Sequence, residues 1–371
     1  MGVQNMAIRR YVYPGGNTRF GFYSFYDQIV GPEVAQKIIL KGGPGVGKSS
    51  FMKKVGDHFS RLGVDVEEHG CSSDPSSLDG IVIGKQQFCL LDGTSPHVVD
   101  PVYPGAVDEI LNLGDYWHQD MIKPHRQEIV QLTREISRCF MRAYSRLKEC
   151  GIAYDELKDY YGENRVSKSL NRNLQALTAD FLAGSVSEYR PLRHLFAGAL
   201  TPGGLITKLE TLIDNHTAIF AVKGSPGAGV QDLFAHTRNL MEQGGIYGEV
   251  FHNPVDPHDI DYILVPSSNA LLIDIGSGLL PYKEILKGLK LKRQLDFDQL
   301  LDNEGVSARA KLIFAAVHRY NQGITDAVQI LQTAKKWHDE LEHYYVPAMD
   351  FAAIETRRQQ IAASWQNQLG L

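Results

Sequence analysis

Short apolar runs alternate with stretches of helical periodicity along most of the chain. Lys37-Ile38-Ile39-Leu40 reads as a buried strand, and Phe51, Met52, Val55, Phe59 and Leu62 recur at the three-and-four spacing of a helix that stops at Gly63. Val64-Asp65-Val66-Glu67 alternates as a second strand, and Asp74-Pro75-Ser76-Ser77 has the form of a helix cap with proline at the first helical position. Ile81-Val82-Ile83 and Phe88-Cys89-Leu90-Leu91, separated by Gly84-Lys85-Gln86-Gln87, predict a hairpin whose second strand ends at Asp92. Upstream, Pro14-Gly15-Gly16-Asn17 reads as a turn, and the aromatic-rich Phe20 to Tyr26 as a short helix leading to the first strand. From Ile129, apolar residues at Leu132, Ile136, Phe140, Ala143 and Leu147 predict a helix packed along one seam, closed by a further helix into a hairpin.

The pattern occurs twice. Lys223-Gly224-Ser225-Pro226-Gly227-Ala228-Gly229 echoes Lys41-Gly42-Gly43-Pro44-Gly45-Val46-Gly47 at an offset of 182 residues. The same offset carries Asp74-Pro75 onto Asp256-Pro257, Asp79 onto Asp261, Ile81 and Ile83 onto Ile263 and Val265, and Asp92 onto Asp274. Ala218 to Val222 supplies the strand before the second loop, and Val230, Leu233, Phe234 and Leu240 the helix after it. Asp155-Glu156-Leu157 with Tyr160-Tyr161 returns as Asp339-Glu340-Leu341 with Tyr344-Tyr345, so the duplication includes the helices. Gly184-Ser185 and Arg190-Pro191 interrupt the helical pattern between the copies. The expected architecture is α/β: two tandem domains, 1–185 and 186–371, each a three-layer, largely parallel sheet with an appended helical hairpin.

The first loop, Gly42-Gly43-Pro44-Gly45-Val46-Gly47-Lys48-Ser49, fits G-x-x-x-x-G-K-[ST] at every fixed position. By chance alone a chain of this length contains that pattern on the order of one time in a hundred, and here it stands between a strand and a helix, as the motif requires. The glycines let successive N–H groups point into one concavity at a helix N-terminus, where a polyphosphate can sit; Ser50 follows in the first helical turn. Lys48 would reach the β- and γ-phosphates, Ser49 would ligate Mg²⁺, and Asp92, at the end of an apolar strand, would orient the ion and its waters. An ordinary Asp-Gly turn is the alternative for Asp92, and the phosphate loop upstream favours the metal-orienting reading over it. Gly93 follows it, so no adjacent glutamate can activate water. Asp74 and Asp79 occur in both halves, which favours caps and turns for them. Thr94, His97 and Asp100 occur only beside the intact loop, and His97 could bind phosphate or shuttle a proton; a loop histidine bonded to backbone is the plainer alternative.

Together with the first loop, three runs resemble a family of bacterial tandem P-loop proteins usually labelled only ATPase or nucleotide kinase: Asp92-Gly93-Thr94-Ser95-Pro96-His97-Val98-Val99-Asp100-Pro101, Pro104-Gly105-Ala106-Val107-Asp108-Glu109-Ile110, and Arg193-His194-Leu195-Phe196-Ala197-Gly198. The resemblance covers nearly the whole chain. It implies two P-loop NTPase folds with ATP as ligand and Mg²⁺ as cofactor, and brings no settled substrate. The chain departs from it at Val230-Gln231, where relatives often carry lysine, so the second loop reads as degenerate.

Composition narrows the partners. The 371 residues are 43% hydrophobic, enough for real cores, and 38 Lys and Arg against 43 Asp and Glu leave a net charge of −5 that recruits neither nucleic acid nor an acidic membrane. Cys71, Cys89, Cys139 and Cys150 show no C-x-x-C spacing, which predicts reduced thiols in a cytoplasmic protein. No run approaches the ~20 apolar residues of a membrane span, and Met1 to Arg10 has no apolar leader. Arg134, Arg138, Arg142 and Arg146 form a stripe at i, i+4 spacing, which reads more readily as a solvated face than as an arginine finger. Lys283, Lys287, Lys290, Lys292 and Arg293 form a weaker basic cluster. There is no N-K-x-D run for guanine and no L-S-G-G-Q run of transporter ATPases. The leading expectation is an ATP-binding, slowly hydrolysing NTPase with one Mg-nucleotide site in the first half. A kinase passing the γ-phosphate to a nucleotide or other small molecule, and a nucleotide-gated switch that engages a protein partner, are the alternatives.

Overall fold

The computed structural model describes residues 7–371; Met1–Met6, part of the stretch read as lacking an apolar leader, lie outside the described residues. The first half contains β1 (Arg9–Val12), β2 (Gly15–Thr18), β3 (Gly21–Ser24), β4 (Gln36–Lys41), α1 (Lys48–Arg61), β5 (Val66–Gly70), β6 (Leu78–Ile83), β7 (Phe88–Asp92), β8 (Asp108–Asn112), the short α2 (Gln119–Ile122), α3 (Arg126–Gly162) and α4 (Ser167–Phe181). The second contains β9 (Arg193–Phe196), β10 (Ala199–Thr201), β11 (Gly204–Ile206), β12 (Ala218–Lys223), α5 (Val230–Gly244), β13 (Glu249–His252), β14 (Ile260–Val265), β15 (Ala270–Asp274), α6 (Tyr282–Ile285), β16 (Leu291–Asp296), α7 (Asn303–Ala308), α8 (Ala310–Tyr345) and α9 (Phe351–Gln368).

The repeat in the sequence becomes two six-stranded sheets of one topology. The first runs β1-β5-β6-β7-β4-β8 and the second β9-β13-β14-β15-β12-β16. In each, only β6 or its counterpart β14 runs antiparallel to its neighbours. The loop-bearing strands β4 and β12 have parallel neighbours on both sides, and their continuous apolar runs are buried, as expected of strands covered on both faces. The protein is thus α/β with two mixed, mostly parallel sheets.

The chain forms two compact units, each drawing on both halves of the sequence: 1–15, 24–142 and 329–371 make one, and 16–23 with 143–328 the other. In the first unit α9 lies against α1, and Met349, Ile354, Ile361, Ala362 and Trp365 complete the core beneath the first sheet. Trp365 is fully buried, stacks on Phe88 with ring centroids 4.8 Å apart, and donates its Nε1–H to Gln36 Oε1 at 2.6 Å. In the second unit α4 packs on α5 and β15, bringing Leu174, Leu177 and Phe181 into that core.

Three local expectations are corrected. Residues 15–18 and 21–24 pair as a two-stranded ribbon instead of a turn and a helix, because Thr18 Oγ1 donates to Gly21 O and accepts from Phe20 N–H, closing the reversal at Arg19-Phe20. Asp74-Pro75 starts no helix: Asp74 accepts from Ser76 N–H and from the hydroxyls of Ser76 and Ser77, which satisfies the backbone locally in a turn. The helix after α3 packs on the second sheet, where the hairpin pattern had it folding back along α3. The four cysteines are free thiols and all buried, and among the described residues no helix is long and apolar enough to cross a membrane.

Candidate functional site

Between the end of β4 at Lys41 and the start of α1 at Lys48 the chain must turn sharply, and Gly42, Gly45 and Gly47 do so with φ of +139°, +70° and +88°, conformations that side chains disfavour. Val46 is buried and pins this loop, which also includes Gly43 and Pro44, to the core. Gly47 is the N-cap of α1, with no side-chain cap and no acidic residue in the first turn. The first-turn N–H groups, those of Ser49 and exposed Ser50 among them, therefore meet no side-chain acceptor at the cap, and the helix dipole adds partial positive charge there.

Lys48 reaches back across the loop: its Nζ donates to Gly42 O and Gly43 O at 3.0 Å each and stands 3.7 Å from Asp92 Oδ2. Asp92 is in register with Leu40 on the neighbouring strand, which brings it beside the start of the loop. Its other oxygen, Oδ1, accepts from Thr94 N–H at 2.9 Å and Thr94 Oγ1–H at 2.6 Å, so the carboxylate is held in one orientation. Ser49 Oγ accepts from Leu78 N–H at 3.0 Å, leaving its proton and second lone pair uncommitted by that bond. Lys48 and Asp92 thus come together, while Ser49 is tied to the first residue of β6.

The loop glycines serve a second purpose that the sequence did not show. A Cβ on Gly43 would lie 3.4 Å from Tyr345, one on Gly45 2.9 Å from Val346 and 3.4 Å from Glu342, and one on Gly47 3.4 Å from Phe351. The end of α8 and the start of α9 lie against the loop because side chains are missing there. In the second unit a Cβ on Gly227 would lie 2.2 Å from the carbonyl of Lys158. The repeated Asp-Glu-Leu and Tyr-Tyr segment was the available signal, since it brings the same helical stretch to each loop.

His97 lies in the loop after β7, where its main-chain N–H donates to Thr94 O at 2.9 Å, and its side chain is buried. Its ring stacks on Tyr26 at 5.0 Å with 14° between planes, and its Nε2 lies 3.6 Å from Asp79 Oδ1. Asp79, read as a turn or cap residue, is instead buried at the start of β6, and burial, with Asp92 nearby, pushes its carboxyl above the ordinary range although His97 opposes the shift. Asp100 is exposed and pairs with Lys41 at 3.4 Å. Arg134, Arg138, Arg142 and Arg146 are exposed, and Arg138 and Arg146 pair with Glu135 and Glu149 of their own helix at 2.6 Å, as on a solvated face.

The second loop keeps the shape and loses the chemistry. Gly227 and Gly229 repeat the positive φ of Gly45 and Gly47, at +89° and +121°. Val230, in the place of Lys48, is buried in the second core, and Gln231, in the place of Ser49, bridges both backbone groups of Ile260, accepting at 2.8 Å and donating at 3.0 Å. The loop amide of Ser225 donates to Asp298 Oδ1 at 2.7 Å, and Asp232 stands in the first turn of α5. A carboxylate already occupies the place an anion would need.

Beside that loop lies a buried acidic group. Asp274, the counterpart of Asp92, is pushed up to about 8, chiefly by burial, and Asp261, the counterpart of Asp79, to about 6 for the same cause. Arg19 pairs with Asp256 at 3.0 Å and Lys158 with Asp259 at 2.9 Å. Neither cation follows from the repeat, which is why the sequence did not reveal them.

Compared with protein-family models, curated proteins and solved structures, the chain matches none.

Proposed function

We propose that the chain binds ATP with Mg²⁺ at the first loop and hydrolyses it there, and that the second half is a non-binding copy. The observation that carries this reading is the contrast between two loops of similar shape: one has a lysine across its mouth beside Asp92, the other a buried valine and a carboxylate on its amide.

The residues of the first loop fit a Mg-polyphosphate. Backbone N–H groups and the α1 dipole face it, Lys48 would exchange its two carbonyl bonds for phosphate oxygens, and Ser49 with Asp92 would hold the ion. Bound Mg²⁺ supplies neutralisation of charge on the phosphates. Catalysis from this chain is then positioning and electrostatics: Lys48 balances charge developing on the transferred group, and Thr94 keeps Asp92 from rotating. Losing the lysine contact removes a charge-assisted bond worth roughly 1.5–3 kcal/mol, about ten- to a hundredfold in affinity. Isothermal titration with MgATP should give one site per chain that weakens by that factor in Lys48→Ala, with phosphate release falling in parallel. Two equivalent sites, or undiminished binding in the variant, would refute the assignment.

A further inference from the structure

We propose that Cys71, Asp79 and His97 form a binding site for a divalent transition-metal ion of the zinc class, distinct from any Mg²⁺ at the loop. A thiol sulfur, a carboxylate oxygen and an imidazole nitrogen lie within 4.8 Å of one another, and all three residues are buried. Zinc bonds of about 2.0–2.3 Å put tetrahedral ligands about 3.3–3.7 Å apart. The edge between Asp79 and His97, at 3.6 Å, already has that length, and the other two are no longer than 4.8 Å. One sulfur, one nitrogen and one oxygen suit a borderline-soft ion and not Mg²⁺, which takes oxygen ligands.

A second observation points to a ligand there. Asp79 Oδ2 is buried without a hydrogen-bond partner, and so is the hydroxyl of Tyr26, the ring of which stacks on His97. The Tyr26 hydroxyl and the Cys71 thiol both approach Asp79 closely enough to lower its carboxyl against the larger effect of burial. A buried carboxylate oxygen in that position needs either a donor or a cation.

The second half supplies an internal control. Asp261 occupies the position of Asp79, and both its oxygens are satisfied by neutral donors: Asn253 Nδ2–H reaches Oδ1 at 2.9 Å and the Tyr282 hydroxyl reaches Oδ2 at 2.8 Å. Asn253 stands where the first half has Cys71, and Leu279 is the sequence counterpart of His97. Around the same aspartate, one copy places an amide and a hydroxyl at 2.8–2.9 Å, and the other a thiol and an imidazole within 4.8 Å. Cys71 Sγ also accepts from Ser73 N–H at 3.4 Å, and the main-chain N–H of His97 donates to Thr94 O at 2.9 Å, which fixes the backbone that carries the imidazole. Three protein ligands leave a fourth position for water, and binding would release the thiol proton.

The test uses the full chain, stripped with chelator and titrated with Zn²⁺ or Co²⁺ alone. The wild type should take up about one ion per chain, with cobalt giving a thiolate charge-transfer band and the strong visible bands of four-coordination. Cys71→Asn installs the residue that the second copy carries there, so it should fold, keep its circular dichroism, and lose the charge-transfer band with zinc binding weakened by more than about a hundredfold. His97→Ala should do the same, while Lys48→Ala, which addresses the nucleotide loop alone, should keep the full cobalt spectrum. A wild type without the thiolate band, equal binding by folded Cys71→Asn, or loss of the band in Lys48→Ala would overturn the proposal.

Discussion

Asp274 is the residue whose surroundings most alter its chemistry. Burial drives its carboxyl up to about 8, the neighbouring Asp261, Asp259 and Asp298 push the same way, and only the Gly276 N–H, at 2.7 Å on Oδ1, opposes them. The unfolded chain releases that proton near the ordinary aspartate value of about 3.9. Between the two values the folded state holds a proton that the unfolded state has lost, so stability is fully present below pH ~4 and falls as pH rises, by up to about 1.4 kcal/mol per pH unit, until pH ~8. Asp261, at about 6, adds a shorter fall over the lower part of that window. Asp274→Asn keeps the Gly276 bond and removes the titration. Urea melts near pH 5 and near pH 9 should show the wild type losing stability between them and the variant losing much less; parallel losses would mean that the acid is solvated. That Asp274 matches Asp92 was legible in the sequence, since the offset is constant. That one has a lysine at its loop and the other does not was legible too, since Val230 stands where the first loop has Lys48; the burial that drives Asp274 up was not, because it depends on packing that the repeat does not specify.

At the scale of elements, helix periodicity announces a buried face without naming the surface that buries it. Ile354, Ile361 and Trp365 are the large buried side chains of α9, and Asp350 caps its start by accepting from Ala352 and Ala353 N–H, but the helix is only weakly amphipathic and nothing in its pattern says that these residues cover α1 and β7 of the first sheet. For the same reason α4 reads as the partner of α3 when it packs on α5. Strand assignments were more legible, since β4, β6 and β7 are short apolar runs bounded by glycine or polar residues. The ribbon of β2 and β3 is hard to read as strands because Gly-Gly-Asn-Thr carries no apolar alternation and Phe22 and Tyr23 stand side by side; its signal is Thr18 and Gly21 returning as Thr201 and Gly204, where Thr201 Oγ1 likewise donates to Gly204 O at 2.8 Å. The packing of α9 has a measurable consequence. Trp365→Ala removes a fully buried indole, its stack on Phe88 and its bond to Gln36, and should cost about 3–5 kcal/mol of stability. Hydrogen exchange should rise first in α1 and β4 of the first unit; a rise confined to α9 itself would show that the first sheet does not depend on it.

For the whole molecule, the duplication and the compact units divide the chain differently. The first sheet takes its covering helix from 329–371, and the second sheet takes α4 from the first half of the sequence. A fragment 1–185 therefore contains β4, α1 and β7 but lacks Met349, Ile354, Ile361, Ala362 and Trp365, leaving the α1 side of its core open to water. A fragment 186–371 lacks Leu174, Leu177 and Phe181 and exposes the side of its own core that α4 would cover. Burying a large apolar side chain is worth roughly 1.5–3 kcal/mol, and a domain's net stability is only about 5–15 kcal/mol, so each loss is of the size of the whole margin. Each half expressed alone should bind a hydrophobic dye and melt without cooperativity, and the two mixed should regain a cooperative transition as a one-to-one complex. The MgATP binding proposed for the first loop, which needs that loop firmly placed, should return only in the mixture. A fragment 1–185 that melts cooperatively as a monomer would mean that the first sheet closes its own core without the helix from 329–371.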